Sequence, residues 1–216
     1  MASKQSSKQN LRQKSSKGFM TATYLQRSIE TKDERPRFLI VCEGEKTEPN
    51  YFKALAAEFK LSVKVEVEGL GDNTDSLVER AIMVRGEDDY AQAWCVFDRD
   101  SFPPHQFNRA IQLAENNGFR VAYSNEAFEL WFILHFEYLQ AGLLRGDYKK
   151  KLTRHLGKKY QKNSRTMFSD LNPFQSTAIR HATQLLLHYS PHNPEQDNPS
   201  TTVHLLVQEL LKFQRE

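Results

Sequence analysis

Two short acidic motifs each follow an apolar run in this sequence. Arg37-Phe-Leu-Ile-Val-Cys42 leads into Glu43-Gly44-Glu45, and Ala93-Trp-Cys-Val-Phe97 leads into Asp98-Arg99-Asp100. Short continuous apolar runs are the signature of strands buried on both faces. In parallel α/β folds the loops at the carboxyl ends of such strands converge on one edge. Glu43, Asp98 and Asp100 are therefore expected to meet there. Carboxylates held close together repel and raise one another's pKa values, so such a cluster calls for a cation. All-oxygen ligation, with no His/Cys set nearby, favours Mg²⁺ or Mn²⁺ over zinc, and these ions serve phosphoryl chemistry. The plainer reading is that acids after strands simply begin loops or cap helices. Either motif alone is weak, and their combination across a βα unit carries the argument.

Neighbouring residues extend the candidate site. Gly44 permits close approach of backbone or phosphate. Glu45, Lys46 and Glu48 crowd the same loop, where Lys46 either contacts a phosphate or offsets negative charge. Glu129 is either a further metal ligand or the acid of an internal ion pair. Glu45 and His135 are candidates for orienting the ligands, although a lone histidine among Trp131, Phe132 and Phe136 reads better as a hydrogen-bonded core residue. Asn125 binds either a phosphate or turn backbone. Between Arg145 and Arg165 lie Lys149, Lys150, Lys151, Arg154, Lys158, Lys159 and Lys162 against one acid, Asp147. That density suits a nucleic-acid backbone, with Tyr148, His155 and Tyr160 available to stack on bases. The alternative is a solvated face that pairs with acids elsewhere.

The elements that must position these groups alternate. A helix is expected from Thr47, with Pro49 in its first turn and Tyr51, Phe52, Leu55 and Phe59 at helical spacing. Ser62 to Glu68 reads as a half-buried or edge strand. Thr74 onward and Pro103 to Asn117 read as helices, and Phe119 to Tyr123 as another strand. Ala127 to Tyr138 is an aromatic-rich helix. Alternation of this kind predicts an α/β fold with a mostly parallel sheet of about four strands flanked by helices. From residue 143 a helical extension is expected. It comprises a basic helix over Tyr148 to Lys162, a polar loop, and helices near Phe174 to Tyr189 and Thr201 to Phe213. Val203, Leu206, Val207, Leu210 and Leu211 of the last should dock on the body. The expected organisation is an arm over 1–34, an α/β domain over 35–142 and the extension over 143–216.

Composition bounds the partners. Of 216 residues, 39% are hydrophobic and 26% charged, which describes a folded globular chain. The net charge of +3 is uneven, because Met1 to Ile29 carries Lys4, Lys8, Arg12, Lys14, Lys17 and Arg27 with no acid. The remainder is net acidic, so phosphate contacts must come from local patches. The arm lacks apolar periodicity and reads as a solubilising tail or a nucleic-acid arm. No apolar run is long enough to span a bilayer or to serve as a signal peptide, so a cytoplasmic location without membrane contact is expected. Cys42 and Cys95 read as core residues rather than as disulfide or zinc partners. An oligomer is possible.

The motifs resemble the Toprim architecture and, within it, the RloB-like proteins. Phe38-Leu-Ile-Val-Cys-Glu-Gly-Glu-Lys-Thr-Glu-Pro-Asn-Tyr-Phe52 is similar to the RloB opening, and Val96-Phe-Asp-Arg-Asp100 to its acidic pair. Ser124-Asn125, Phe128-Glu129-Leu-Trp131 and Leu134-His135-Phe136 resemble its third block. Asn198-Pro-Ser-Thr201 with Val203 resembles its last. The resemblance implies a Toprim-type nuclease acting on DNA or RNA, tRNA included, in prokaryotic antiphage defence beside an ATPase partner. Carried over, Glu43 resembles the general acid/base, and Asp98 and Asp100 the metal-ligand pair. Two alternatives stand beside it. One is a non-catalytic nucleic-acid-binding or regulatory subunit. The other is a haloacid-dehalogenase-type phosphatase, disfavoured because its Asp-x-Asp pair normally ends the first strand. A Toprim topoisomerase or primase would need a strand-passing domain or a zinc module, for which this chain leaves no room.

Overall fold

Strand alternation sorts the core onto two faces of one sheet. In β1 (Arg37–Cys42), Phe38, Ile40 and Cys42 face one way and Leu39 and Val41 the other, as the period of two requires. The sheet continues with β2 (Lys64–Gly69), β3 (Gln92–Asp98), β4 (Arg120–Asn125) and β5 (Ser200–Thr201), in spatial order β2-β1-β3-β4-β5. The first four strands run parallel and β5 is antiparallel to β4. The protein is thus mixed α/β with a mostly parallel sheet flanked by helices, as the alternation predicts. The computed structural model describes residues 35–71, 74–99 and 104–215. The expected N-terminal arm and Asp100 lie outside the described residues.

Leu39, Val41, Cys95 and Phe97 pack against α2 (Thr74–Arg85) and α3 (Pro104–Asn116) through Leu77, Val78, Ala81, Phe107, Ala110 and Ala114. The opposite face receives α1 (Thr47–Glu58) through Tyr51, Phe52 and Leu55, and α4 (Glu129–Leu134). The rest of the chain joins that same core. It comprises α5 (Arg145–Leu156), α6 (Met167–Leu171), a 3₁₀ turn over Asn172–Phe174, α7 (Gln175–Leu186) and α8 (Val203–Leu211). Arg35–Glu216 forms one compact unit. The apolar stripe of α8 docks as expected, with Val203, Leu206, Val207 and Leu210 buried. Cys42 and Cys95 are free, buried strand residues.

Four features depart from the sequence expectation. The sheet gains β5, a two-residue strand held by side chains as much as by backbone. The Thr201 hydroxyl donates to the Tyr123 carbonyl (2.8 Å), and the Tyr123 N–H donates to Thr202 Oγ1 (2.9 Å). The aromatic helix is only Glu129–Leu134, and part of the expected polar loop is helical as α6. The basic helix stops at Leu156 because Gly157 takes a left-handed conformation (φ 63°), its N–H donating to the Arg154 carbonyl.

A Cβ at Gly157 would meet nothing within 4 Å, so a side chain there costs only backbone strain. Gly157→Ala should lower stability by about 1–2 kcal/mol, a fall of ~2–8 °C in melting temperature. Gly157→Asn should lose less. Thermal melts check both, and an unchanged Gly157→Ala melt contradicts the assignment.

Candidate acidic site at the sheet edge

β1 and β3 are neighbours, so their carboxyl ends lie side by side. Pairing runs one residue past β1, where the Glu43 N–H donates to the Val96 carbonyl (2.9 Å). The Asp98 N–H then donates to Oε2 of Glu43 (3.1 Å). Two of the acids expected to meet are thereby joined. Asp98 is 8% exposed and its Oδ1 has no hydrogen-bond partner among the described residues. Burial, followed by the charges of Glu48, Glu129 and Glu43, holds its carboxyl well above the usual range.

Glu48, one of the charged residues that crowd the loop after β1, is a full member of the cluster. It is buried in the first turn of α1, and its Oε2 likewise lacks a partner. A Cβ on Gly44 would run into the Glu48 carboxylate, which gives Gly44 a steric reason to be glycine. Burial pushes the Glu48 carboxyl up to about 7, aided by the charges of Glu129 and Glu43 and opposed by its own backbone N–H and Lys162. Glu129 opens α4, is buried, and accepts a hydrogen bond at Oε1 from the Tyr160 hydroxyl (2.9 Å). Glu129 thus belongs to the acidic group, and its direct partner is a tyrosine rather than a base.

This arrangement fits an oxygen-seeking divalent cation in kind. Buried carboxylates lie within electrostatic reach of one another, and two of their oxygens have no donor among the described residues. Among the described residues, no three His, Cys, Asp or Glu side chains already stand in coordinating geometry. A groove of about 530 Å³ lined by Trp94, Phe119, Arg120 and Lys212 is at the opposite end of β4 and holds none of these acids.

Other expected site residues fall elsewhere. Lys46 and Glu45 are exposed, with the Glu45 side chain against Gly71. Asn125 is buried and donates to the Pro194 carbonyl (3.0 Å), so it serves the fold. His135 is 1% exposed, bonds through Nδ1 to the Trp131 carbonyl (2.9 Å), and is pulled down to about 4 by burial. It is a neutral core histidine.

The basic segment divides. Lys151 pairs with Glu137 (2.5 Å) before the helix and Lys158 with Asp170 (2.7 Å) in α6, while Lys150 pairs with Asp147 (3.0 Å) on its own helix. Lys149, Lys150, Arg154, Lys158, Lys159 and Lys162 are exposed. The expectation that Tyr148, His155 and Tyr160 stack on bases is overturned. Tyr148 and Tyr160 are buried, and His155 stacks on Phe136 (5.1 Å) while bonding Glu137. Tyr148 is packed inward from α5, within electrostatic reach of Glu126, Asp98 and Glu129. Burial and the Glu129 charge raise the Tyr160 pKa far above its ordinary value, so Tyr160 is the donor in its bond to Glu129.

The chain matches the family described as RloB-like protein over residues 38–210. No curated protein and no solved structure matches it. Glu43, Glu48, Asp98, Glu129 and Tyr160 all fall within the matched span.

In the unfolded chain Glu48 releases its proton near the ordinary 4.5, and in the folded chain near 7. The folded state holds the extra proton between those values, so stability falls as pH rises through that window. Without divalent cation, Glu48→Gln should melt higher than wild type at pH 8, by roughly 1–3 kcal/mol, and near wild type at pH 4.5. His135 and His204, both lowered to about 4, act in the opposite sense and cancel in the comparison. Equal melts at both pH values contradict a charged, buried Glu48.

Proposed function

The chain belongs to the RloB-like protein family, and from that premise we propose that it is a metal-dependent nuclease of Toprim type that hydrolyses phosphodiester bonds in DNA or RNA. The observation that carries this reading is the pair of buried carboxylate oxygens without protein partners among the described residues, Asp98 Oδ1 and Glu48 Oε2, beside Glu43 and Glu129. Maintaining buried like charges is costly unless something neutralises them.

Glu43, Glu48, Asp98 and Glu129 are the residues that would hold Mg²⁺ or Mn²⁺, with Asp100 as a further candidate ligand. The bound ion would supply electrophilic stabilisation of a phosphate and lower the pKa of water. Glu43 is the least buried of the four and begins the loop that carries Gly44 and the exposed Lys46. It is the carboxylate best placed to exchange a proton with solvent or substrate, while the Asp98 N–H fixes its orientation. The exposed Lys149, Lys150, Arg154, Lys158 and Lys159 supply positive charge for a polynucleotide backbone. The family resemblance extends the proposal to prokaryotic antiphage defence beside an ATPase partner.

Labelled single- and double-stranded DNA, total tRNA and mRNA, each incubated with Mg²⁺ or Mn²⁺, test the proposal. Cleavage of at least one class is expected. Asp98→Ala and Glu43→Ala should each reduce it at least ~100-fold, and a chelator should abolish it. Lys149→Glu with Lys159→Glu should weaken binding and flatten its salt dependence. Substrate bound tightly but left intact under every metal would replace the nuclease with a binding subunit.

A further inference from the structure

The helical extension reaches into the acidic site through one short segment. Gly157 ends α5 and turns the chain, and the Tyr160 N–H donates to Thr153 Oγ1 (3.0 Å), holding the turn against that helix. Tyr160 is thereby buried, with its hydroxyl on Glu129 Oε1 at 2.9 Å. Three residues later the segment grips the start of α1. The Thr47 hydroxyl donates to Asn163 Oδ1 (2.7 Å), and Asn50 Nδ2 donates to the Asn163 carbonyl (3.0 Å). Residues 157–163 therefore bind both elements that supply deeply placed acids, α4 with Glu129 and α1 with Glu48. Lys162, within the same segment, acts electrostatically on Glu48.

We infer that Tyr160 is a positioning residue of the cation site: its hydroxyl takes up one oxygen of Glu129 and fixes that carboxylate so that its other oxygen serves the cation. The inference rests on the cation reading proposed above and deepens it by making the extension part of the site. A carboxylate free to rotate loses affinity for a cation to disorder, and a charge-assisted bond from a buried hydroxyl removes that freedom. A tyrosine placed only to fill space would have needed no acceptor for its hydroxyl beyond a backbone carbonyl. Here the acceptor is a buried member of the acidic cluster itself.

The test is Mn²⁺ binding to the full chain, read from the electron paramagnetic resonance of the free ion, without nucleic acid. Wild type, Tyr160→Phe, Glu129→Gln and the double variant are compared, with metal-free melting temperatures as a control for folding. Tyr160→Phe should weaken Mn²⁺ binding by about 10-fold or more. Glu129→Gln should weaken it at least as much, and the double should be no weaker than Glu129→Gln within about 2-fold. Losses that multiply in the double would mean that Tyr160 acts on the fold and not through Glu129, and would overturn the inference. So would wild-type affinity in Tyr160→Phe. If Tyr160→Phe alone does not fold, the double strands no charge and still decides by comparison with Glu129→Gln. Equal affinity supports the inference and a further loss overturns it. A wild type that binds no Mn²⁺ overturns this inference together with the cation reading, whereas the other adverse results overturn it alone.

Discussion

The constraint on which the rest depends is the crowding of buried negative charge at the carboxyl edge of β1 and β3. Asp98 and Glu48 are both almost inaccessible, and among the described residues each keeps a carboxylate oxygen without a donor. A buried polar atom left unpaired costs about 1–3 kcal/mol, and an unpaired buried charge costs more. The surroundings offset part of this. Glu48 lies in the first turn of α1, where the helix N-terminus favours an anion. Its own backbone N–H and Lys162 act in the same direction. The Asp98 N–H is turned to Glu43, and the Tyr160 hydroxyl to Glu129. Among the described residues none of these reaches Asp98 Oδ1 or Glu48 Oε2, and that remainder is what supports the cation reading.

The acids that follow strands, Glu43 and Asp98, are legible from the sequence, and Glu129 is legible there as a candidate ligand on a helix, whereas the places of Glu48 and Tyr160 are not. Glu43 and Asp98 follow apolar runs whose identity as adjacent parallel strands is a matter of pattern, so their meeting could be anticipated. Glu48 could not be singled out in the same way. An acid in the first turn of a helix has an ordinary reason to be there, and only the packing against Gly44 shows that this one points inward. Tyr160 was misjudged because its direction depends on Gly157. Read as continuous helix to Lys162, the segment appeared to carry its tyrosines beside its lysines. With the helix ended by a left-handed glycine, Tyr160 returns to the core. Lys151 and Lys158 illustrate a related limit, since Glu137 and Asp170, which pair with them, are 14 and 12 residues distant. The strand β5 has two residues and so no period to detect.

The extension that composition marked as a change of character at residue 143 is structurally continuous with the sheet. Its helices complete one of the two cores, with Tyr148, Leu152, Phe168, Ala178, Leu185 and Leu206 joining Phe38, Ile40 and Val96. The other core, beneath α2 and α3, is smaller and built from residues before 124. The acidic site opens where the larger core meets the sheet edge, so its walls come from β1, β3, α1, α4 and the turn after α5. The extension thus supplies the hydroxyl bonded to Glu129 and the Lys162 charge that acts on Glu48.

Anomalous diffraction from crystals soaked in Mn²⁺ reads whether a divalent cation occupies this cluster. A Mn²⁺ peak bonded to Asp98 and Glu48 is expected, with Glu43 or Glu129 completing the protein ligands. Saturating Mn²⁺ with no peak there, or a peak only at another part of the surface, would contradict it.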